Sequence, residues 1–91
     1  MMTYFVYFII SKVKKKTISY VGYTNNLERR LKLHNTNKGA KFTKGKKWKL
    51  AYYETFKTKK EAMKKEYVLK KNYKLRNKLK AIIWKFQFYY H

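Results

Sequence analysis

Any fold open to this chain must keep 25 lysine and arginine side chains in water, with four glutamates and no aspartate to pair them: a formal charge of +21 over 91 residues. A compact body so charged repels itself and is drawn to polyanions. Nucleic acid is therefore the first partner to consider and an acidic membrane surface the second. The same composition closes off several chemistries. Without cysteine there is no disulfide scaffold, zinc ribbon or thiol nucleophile. Two histidines and four acids do not suffice for a carboxylate-rich two-metal centre within one chain. Yet 45% of the residues are hydrophobic and 20% aromatic, which is enough for a core and excludes a disordered basic tail. At this length the core serves one small domain, residues 1–91.

Lysine supplies 22 of the 25 cations, and asparagine, isoleucine, tyrosine and phenylalanine are frequent, the drift that an AT-rich genome produces. That drift would not suppress glutamate, which is rare here. The basicity is therefore read as functional, a surface for sequence-independent phosphate contact. The apolar stretch 4–10 has no basic residue before it and no small-residue cleavage site after it, and it falls short of the ~20 residues of a membrane span. It reads as a strand, and the cytoplasm, with nucleoid association, is the expected location.

Residues 3–10 and 17–23 are rich in aromatic and β-branched side chains, and lysine-rich 11–16 separates them: a hairpin with a basic loop. A helix follows. Thr24, Asn25 and Asn26 offer caps, and Leu27, Arg30, Leu31 and His34 recur at i, i+3, i+4 and i+7. It should stop near 35–39, where asparagine and glycine cluster. Residues 38–49, with six lysines and no acid, read as a loop, and 48–56 as a third strand. Thr58 and Glu61 have capping-box spacing and open a helix to about Lys71. Leu75, Leu79, Ile82, Ile83 and Phe86 mark a third helix, with the aromatic end 86–90 either packed or a contact surface. The order is β-β-α-β-α-α, an α/β domain of the α+β kind.

Polar residues stand where two of these helices want apolar ones. Arg30 and His34 share a face with Leu27 and Leu31, whereas Arg29 and Lys32 point elsewhere. In the second helix Ala62, Met63, Tyr67, Leu69 and Tyr73 form the expected inward stripe, with Glu66 in its middle. A carboxylate buried alone costs several kcal/mol, so Glu66 must meet a cation, a metal or water in a cleft. Each residue also has a plain structural reading. Glu66 can be an ion pair with Arg30 or a lysine, Arg30 a packed stem with its head in solvent, and His34 a hydrogen-bonded helix-terminal histidine. Periodicity gives no reason to single out Tyr7 and Tyr20 among ten tyrosines. Gly22 is either a turn residue or a place where a backbone or phosphate comes close.

Taken in order, these segments resemble the GIY-YIG nuclease family, in particular small stand-alone members akin to excision-repair and structure-selective nuclease domains. Phe5-Val6-Tyr7 stands for the first triplet and Tyr20-Val21-Gly22 for the second. Gly22-Tyr23-Thr24 leads into Asn26-Leu27-Glu28-Arg29-Arg30-Leu31, then His34-Asn35, Gly39-Ala40-Lys41-Phe42-Thr43, and Glu61-Ala62 with Glu66 beyond. The resemblance covers about 4–83 and leaves 84–91 as an aromatic tail. Phe5 departs from the glycine of many relatives, and Asn77 stands near the place of a further asparagine found in some members. The resemblance implies a three-stranded antiparallel sheet flanked by helices. It also implies catalytic roles for Tyr7, Tyr20, Arg30, His34 and Glu66, with Glu66 holding the metal.

Phosphodiester hydrolysis suits such a set. Mg²⁺ or Mn²⁺ keeps several waters and needs few protein carboxylates. Arg30 would grip the phosphate through its planar fork, and Tyr7 or Tyr20 would orient or deprotonate the water, with His34 as a nearby proton acceptor. Lys14, Lys15 and Lys16 of the hairpin and Lys41, Lys44, Lys46 and Lys47 of the later loop are the expected backbone contacts. Three arginines leave little for guanine readout, so recognition of DNA structure, or broad binding, is expected over a defined sequence. The expected function is thus a divalent-metal-dependent DNA endonuclease in repair or processing, with RNA as a second substrate class and a protein partner or homodimer supplying targeting. The competing readings are a non-catalytic basic nucleic-acid-binding module and, third, a membrane-surface protein.

Overall fold

A strand that reads Tyr-Phe-Val-Tyr-Phe-Ile-Ile has no polar face to show to water, so it belongs in the middle of a sheet covered on both sides. In the computed structural model, which describes the backbone of residues 2–89 and the side chains of residues 2–81, that is its place. Strand β1 (Tyr4–Val13) lies between β2 (Lys16–Thr24) and β3 (Lys49–Phe56), antiparallel to both, in the order β2-β1-β3. The remaining elements are α1 (Leu27–Asn35), a 3₁₀ turn (Lys41–Thr43), α2 (Lys59–Lys71) and α3 (Tyr73–Tyr89). The sequence order β-β-α-β-α-α is the order observed.

Alternation along β1 sorts its side chains onto two layers. Val6, Phe8 and Ile10 meet Val21, Ala62 of α2 and Leu69 of α2, with Leu79 of α3 packed alongside. Tyr7 and Ile9 face the other way, onto Trp48, Ile18, Tyr20 and the α1 residues Leu27 and Leu31. The polar stripe of α1 therefore comes down on the same face as the two tyrosines.

The helix ends follow the capping residues. Asn26 accepts from the Arg29 N–H (3.1 Å) at the start of α1, and Thr58 from the Glu61 N–H (3.2 Å) at the start of α2. Helix α1 closes through Lys38 N–H to Leu33 C=O (2.9 Å), with Asn37 in the left-handed conformation (φ 64°), a Schellman arrangement. Asn72 closes α2 and caps α3 through Leu75 N–H (3.0 Å), which accounts for the one-residue break between them.

Two expectations need correction. The basic stretch 11–16 is not a loop: Val13 pairs with Lys16, so the turn is Lys14-Lys15 alone, and Lys16 belongs to β2. Lys14 takes φ 58° although it is not glycine, so the turn carries none of the usual glycine or asparagine signature. In α2 the inward residues are Ala62 and Leu69, whereas Met63 and Tyr67, and Tyr73 beyond them, are exposed. The sheet leaves room for one narrow line of the helix, and the small Ala62 lets it approach closely. The expected stripe of Ile82, Ile83 and Phe86 and the packing of the aromatic end lie outside the described side chains. Among the described residues no helix is long and apolar enough to cross a membrane.

Candidate active site

Tyr7 sits directly across from Gly22 in the β1–β2 register, and Tyr20 pairs with Ile9. A side chain at position 22 would block the phenol of Tyr7: a β-carbon built there falls on its hydroxyl. The bare glycine lets the ring cross the edge strand, so what comes close at Gly22 is a tyrosine, not a phosphate or backbone. Gly22→Ala is expected to cost about 1–3 kcal/mol, the usual range for an overfilled core. Urea denaturation measures this loss, and the variant should also misplace the Tyr7 hydroxyl.

That hydroxyl is held from α1. It lies 2.8 Å from His34 Nε2 and accepts from Arg30 Nε at 3.3 Å. His34 is fully buried, and its Nδ1 is 2.9 Å from Thr43 Oγ1. Thr43 has a single hydroxyl proton and donates it to the Ala40 carbonyl (2.8 Å). It can only accept from His34, so Nδ1 carries the imidazole proton and Nε2 is bare, ready to accept from Tyr7. The bond network fixes this tautomer.

Burial, followed by the charge of Arg30, lowers the His34 pKa to about 4, so the imidazole is neutral at pH 7. The Tyr7 pKa is raised, first by burial and against the pull of Arg30, with Tyr20 and Glu66 adding to the rise. Arg30 is held more firmly charged, first by its bond to Tyr7, and Tyr20 also contributes. Tyr7 thus sits under the charges of Arg30 and Glu66, and Arg30 under those of both phenols.

Tyr20 is half-buried and packs against His34 (centroids 5.2 Å), Tyr7 (6.5 Å), Trp48 (6.4 Å) and Phe42 (6.2 Å). Tyr7, by contrast, is only 1% exposed. Glu66 arrives from α2, on the other layer, its side chain 17% exposed and 3.2 Å from Lys70. Of the structural partners considered for it, a lysine is the one found. Glu28 and Glu61 occupy the first turns of α1 and α2, and Glu54 is engaged by Tyr52 (2.9 Å) and Lys65 (3.7 Å). Glu66 is the acid whose charge reaches Tyr7.

The loop after α1 completes the wall. Asn35 accepts from the Trp48 N–H (2.6 Å) and donates to its C=O (3.0 Å), and Trp48 Nε1 donates to the Thr43 carbonyl (3.0 Å). Gly39 passes so close over His34 that an added β-carbon would meet its ring. Residue types alone assigned no role to Thr43, Asn35 or Gly39; the segments His34-Asn35 and Gly39–Thr43 were the only signal. Lys41, Lys44 and Lys47 are exposed on this loop, whose Phe42 and Trp48 rings meet Tyr20. Lys46 is half-buried, donating to the carbonyls of Phe42 (3.0 Å) and Lys44 (3.4 Å). Lys14, Lys15 and Lys16 lie at the far end of the hairpin, Lys15 roughly 17 Å from Tyr20 at the rise of an extended strand. Asn77 is half-buried on α3.

The donor set suits a hard cation that keeps most of its water. Glu66 offers one partly exposed carboxylate whose charge Tyr7 senses, and no group of three or more His, Cys, Asp or Glu gathers among the described residues.

A family model described as the GIY-YIG catalytic domain matches residues 3–80. A UPF0213 protein of Clostridium perfringens is 48% identical over 66 residues, 71% of this chain and 70% of its own length. One of Bacillus licheniformis is 58% identical over 53 residues, 57% of this chain and 55% of its own. One of Staphylococcus haemolyticus is 44% identical over 77 residues, 84% of this chain and 92% of its own. The chain thus spans little more than half the length of some of these relatives and nearly all of others. The solution NMR structure of a UPF0213 protein from Bacillus halodurans shares the fold at a TM-score of 0.51 and 35% identity, covering 89% of this chain and 85% of that one.

Proposed function

The chain belongs to the GIY-YIG catalytic-domain family, a family of nucleases, and from that premise we propose that it is a divalent-metal-dependent DNA endonuclease with little sequence specificity. The observation that supports this most is the bond chain Thr43–His34–Tyr7–Arg30, flanked by the half-buried ring of Tyr20 against Tyr7 and His34, with the Tyr7 phenol under the charge of Glu66. A structural ion-pair cluster would not need two phenols and a neutral imidazole in a fixed tautomer.

The residues divide the work by access. Arg30 spends Nε on Tyr7, so its terminal N–H groups are what it offers a phosphate, where a planar fork binds two oxygens at once. Tyr20 is the phenol that water can reach, and it orients the attacking water in line with the scissile bond. Tyr7 is walled in and acts as a positioning residue, donating its hydroxyl hydrogen bond to His34 Nε2 while it holds Arg30 in place. Glu66 would hold Mg²⁺ or Mn²⁺, which supplies charge neutralisation at the phosphate. The lysines of the 3₁₀ loop hold the backbone without reading bases, so affinity should fall steeply with salt.

Nicked, branched, single-stranded and plasmid DNA, with RNA alongside, incubated with Mg²⁺ or Mn²⁺ give the test. Cleavage that needs the metal and is lost in Tyr20→Phe is the expected result. Metal-independent binding without cutting would reduce the chain to a basic nucleic-acid-binding module.

A further inference from the structure

One aromatic ring at the mouth of the site has no task in this chemistry. Phe42 is 52% exposed, yet it is not on a loose tip. Its neighbour Thr43 is tied to His34 and Ala40, Trp48 is clamped by Asn35, and Gly45 N–H donates to Asn37 Oδ1 at 2.7 Å. The ring lies within 20° of parallel to Tyr20, centroids 6.2 Å apart, and Trp48 braces it at 6.2 Å. Phe42 and Tyr20 thus form one aromatic ledge, half of it open to solvent. The Lys46 ammonium rests over the Phe42 ring at 5.2 Å, with Lys41 and Lys44 beside it.

A rigid, exposed ring amid lysines, next to a phosphate site, is what a nucleobase stacks on. We propose that Phe42 receives an unpaired base adjoining the phosphate bound at Arg30 and Tyr20. The substrate class is then a nucleic acid with at least one unstacked nucleotide there: single-stranded, gapped or branched. This rests on the hydrolytic reading for the position of that phosphate. Lys46 holds the ring face until a base takes it, and its ammonium then exchanges the Phe42 and Lys44 carbonyls for the flanking phosphate. A stacked base outweighs an exposed cation–π contact, and the phosphate replaces the two carbonyls as acceptor for the ammonium, so the exchange is downhill. A continuous duplex keeps its bases paired and cannot supply one to the ledge.

The test uses Glu66→Gln, which should bind without cutting, and DNA of one sequence with 2-aminopurine at each position in turn, single-stranded or fully paired. Bound to the Phe42 chain, the single strand should show altered 2-aminopurine fluorescence at one position and bind roughly tenfold tighter than the paired form. Phe42→Ala should abolish both effects and leave duplex affinity unchanged. Phe42→Trp should restore them, and Tyr73→Ala, which removes an exposed ring elsewhere, should do nothing. Unchanged selectivity in Phe42→Ala, or equal loss on both forms, overturns the proposal. If the wild-type chain cuts DNA while selectivity ignores Phe42, the hydrolytic reading stands and this one falls. If Phe42 governs selectivity and no DNA is cut, the reverse holds.

Discussion

Replacing Glu66 with glutamine is expected to reduce Mg²⁺- or Mn²⁺-supported cleavage by more than about a hundredfold, beyond what loss of a group that merely orients a metal ligand costs. The protein should stay folded. Glu66 lies on the inward line of α2 between Ala62 and Leu69, but among the described residues its one ion pair is with Lys70, four residues on and about half exposed. Such helical pairs contribute about 0.2–0.5 kcal/mol, so thermal unfolding should hardly move. Glutamine keeps the volume and a hydrogen-bonding oxygen while removing the charge. The matched control is Glu54→Gln, whose carboxylate is engaged by Tyr52 and Lys65, and there the rate should be unaffected. Single-turnover rates across a metal titration give the readout. Equal rates for wild type and Glu66→Gln would remove the carboxylate from the chemistry.

The legibility of this molecule follows what each sequence signal can physically encode. Strand β1 was readable because a run of large apolar residues has one home, the middle of a doubly covered sheet. The face of α1 was readable because Leu27, Arg30, Leu31 and His34 keep helical spacing. Helix α2 was not, since its apolar residues occupy two faces: Ala62 and Leu69 go in, while Met63, Tyr67 and Val68 stay out. Period alone does not say which face meets the sheet. The hairpin turn was missed because Lys14 adopts a left-handed conformation that composition does not announce. At the site, the set of Tyr7, Tyr20, Arg30, His34 and Glu66 came from ordered motifs, but the difference between the tyrosines did not. That difference is one of burial, and it exists because Gly22 lets the Tyr7 ring cross beneath the helix. Thr43 was silent for a similar reason. Its value lies in the one proton it gives to Ala40, which settles the tautomer of a histidine nine residues away.

His34 should make the stability of the protein fall as the pH drops from about 6.5 toward 4. In the unfolded chain the imidazole takes a proton near its ordinary pKa, whereas in the fold it resists protonation down to about 4. The unfolded state therefore binds more protons in that window, so stability is complete above it and lost through it, by at most about 3 kcal/mol. His34→Gln should lack this loss, and subtracting its profile removes whatever every other group contributes over the same interval. His34→Ala should cost about 3–5 kcal/mol at pH 7, because it opens a cavity and leaves the buried Tyr7 hydroxyl proton without its acceptor. The charge of Arg30 is the second cause of the low pKa, and a phosphate bound there would offset it. A saturating oligonucleotide on Glu66→Gln should therefore raise the His34 pKa, read from its ring resonances in an NMR titration. A pKa that ignores the oligonucleotide would mean that the phosphate does not sit at Arg30. If it rises, the imidazole becomes a better proton acceptor for Tyr7 only once substrate is in place.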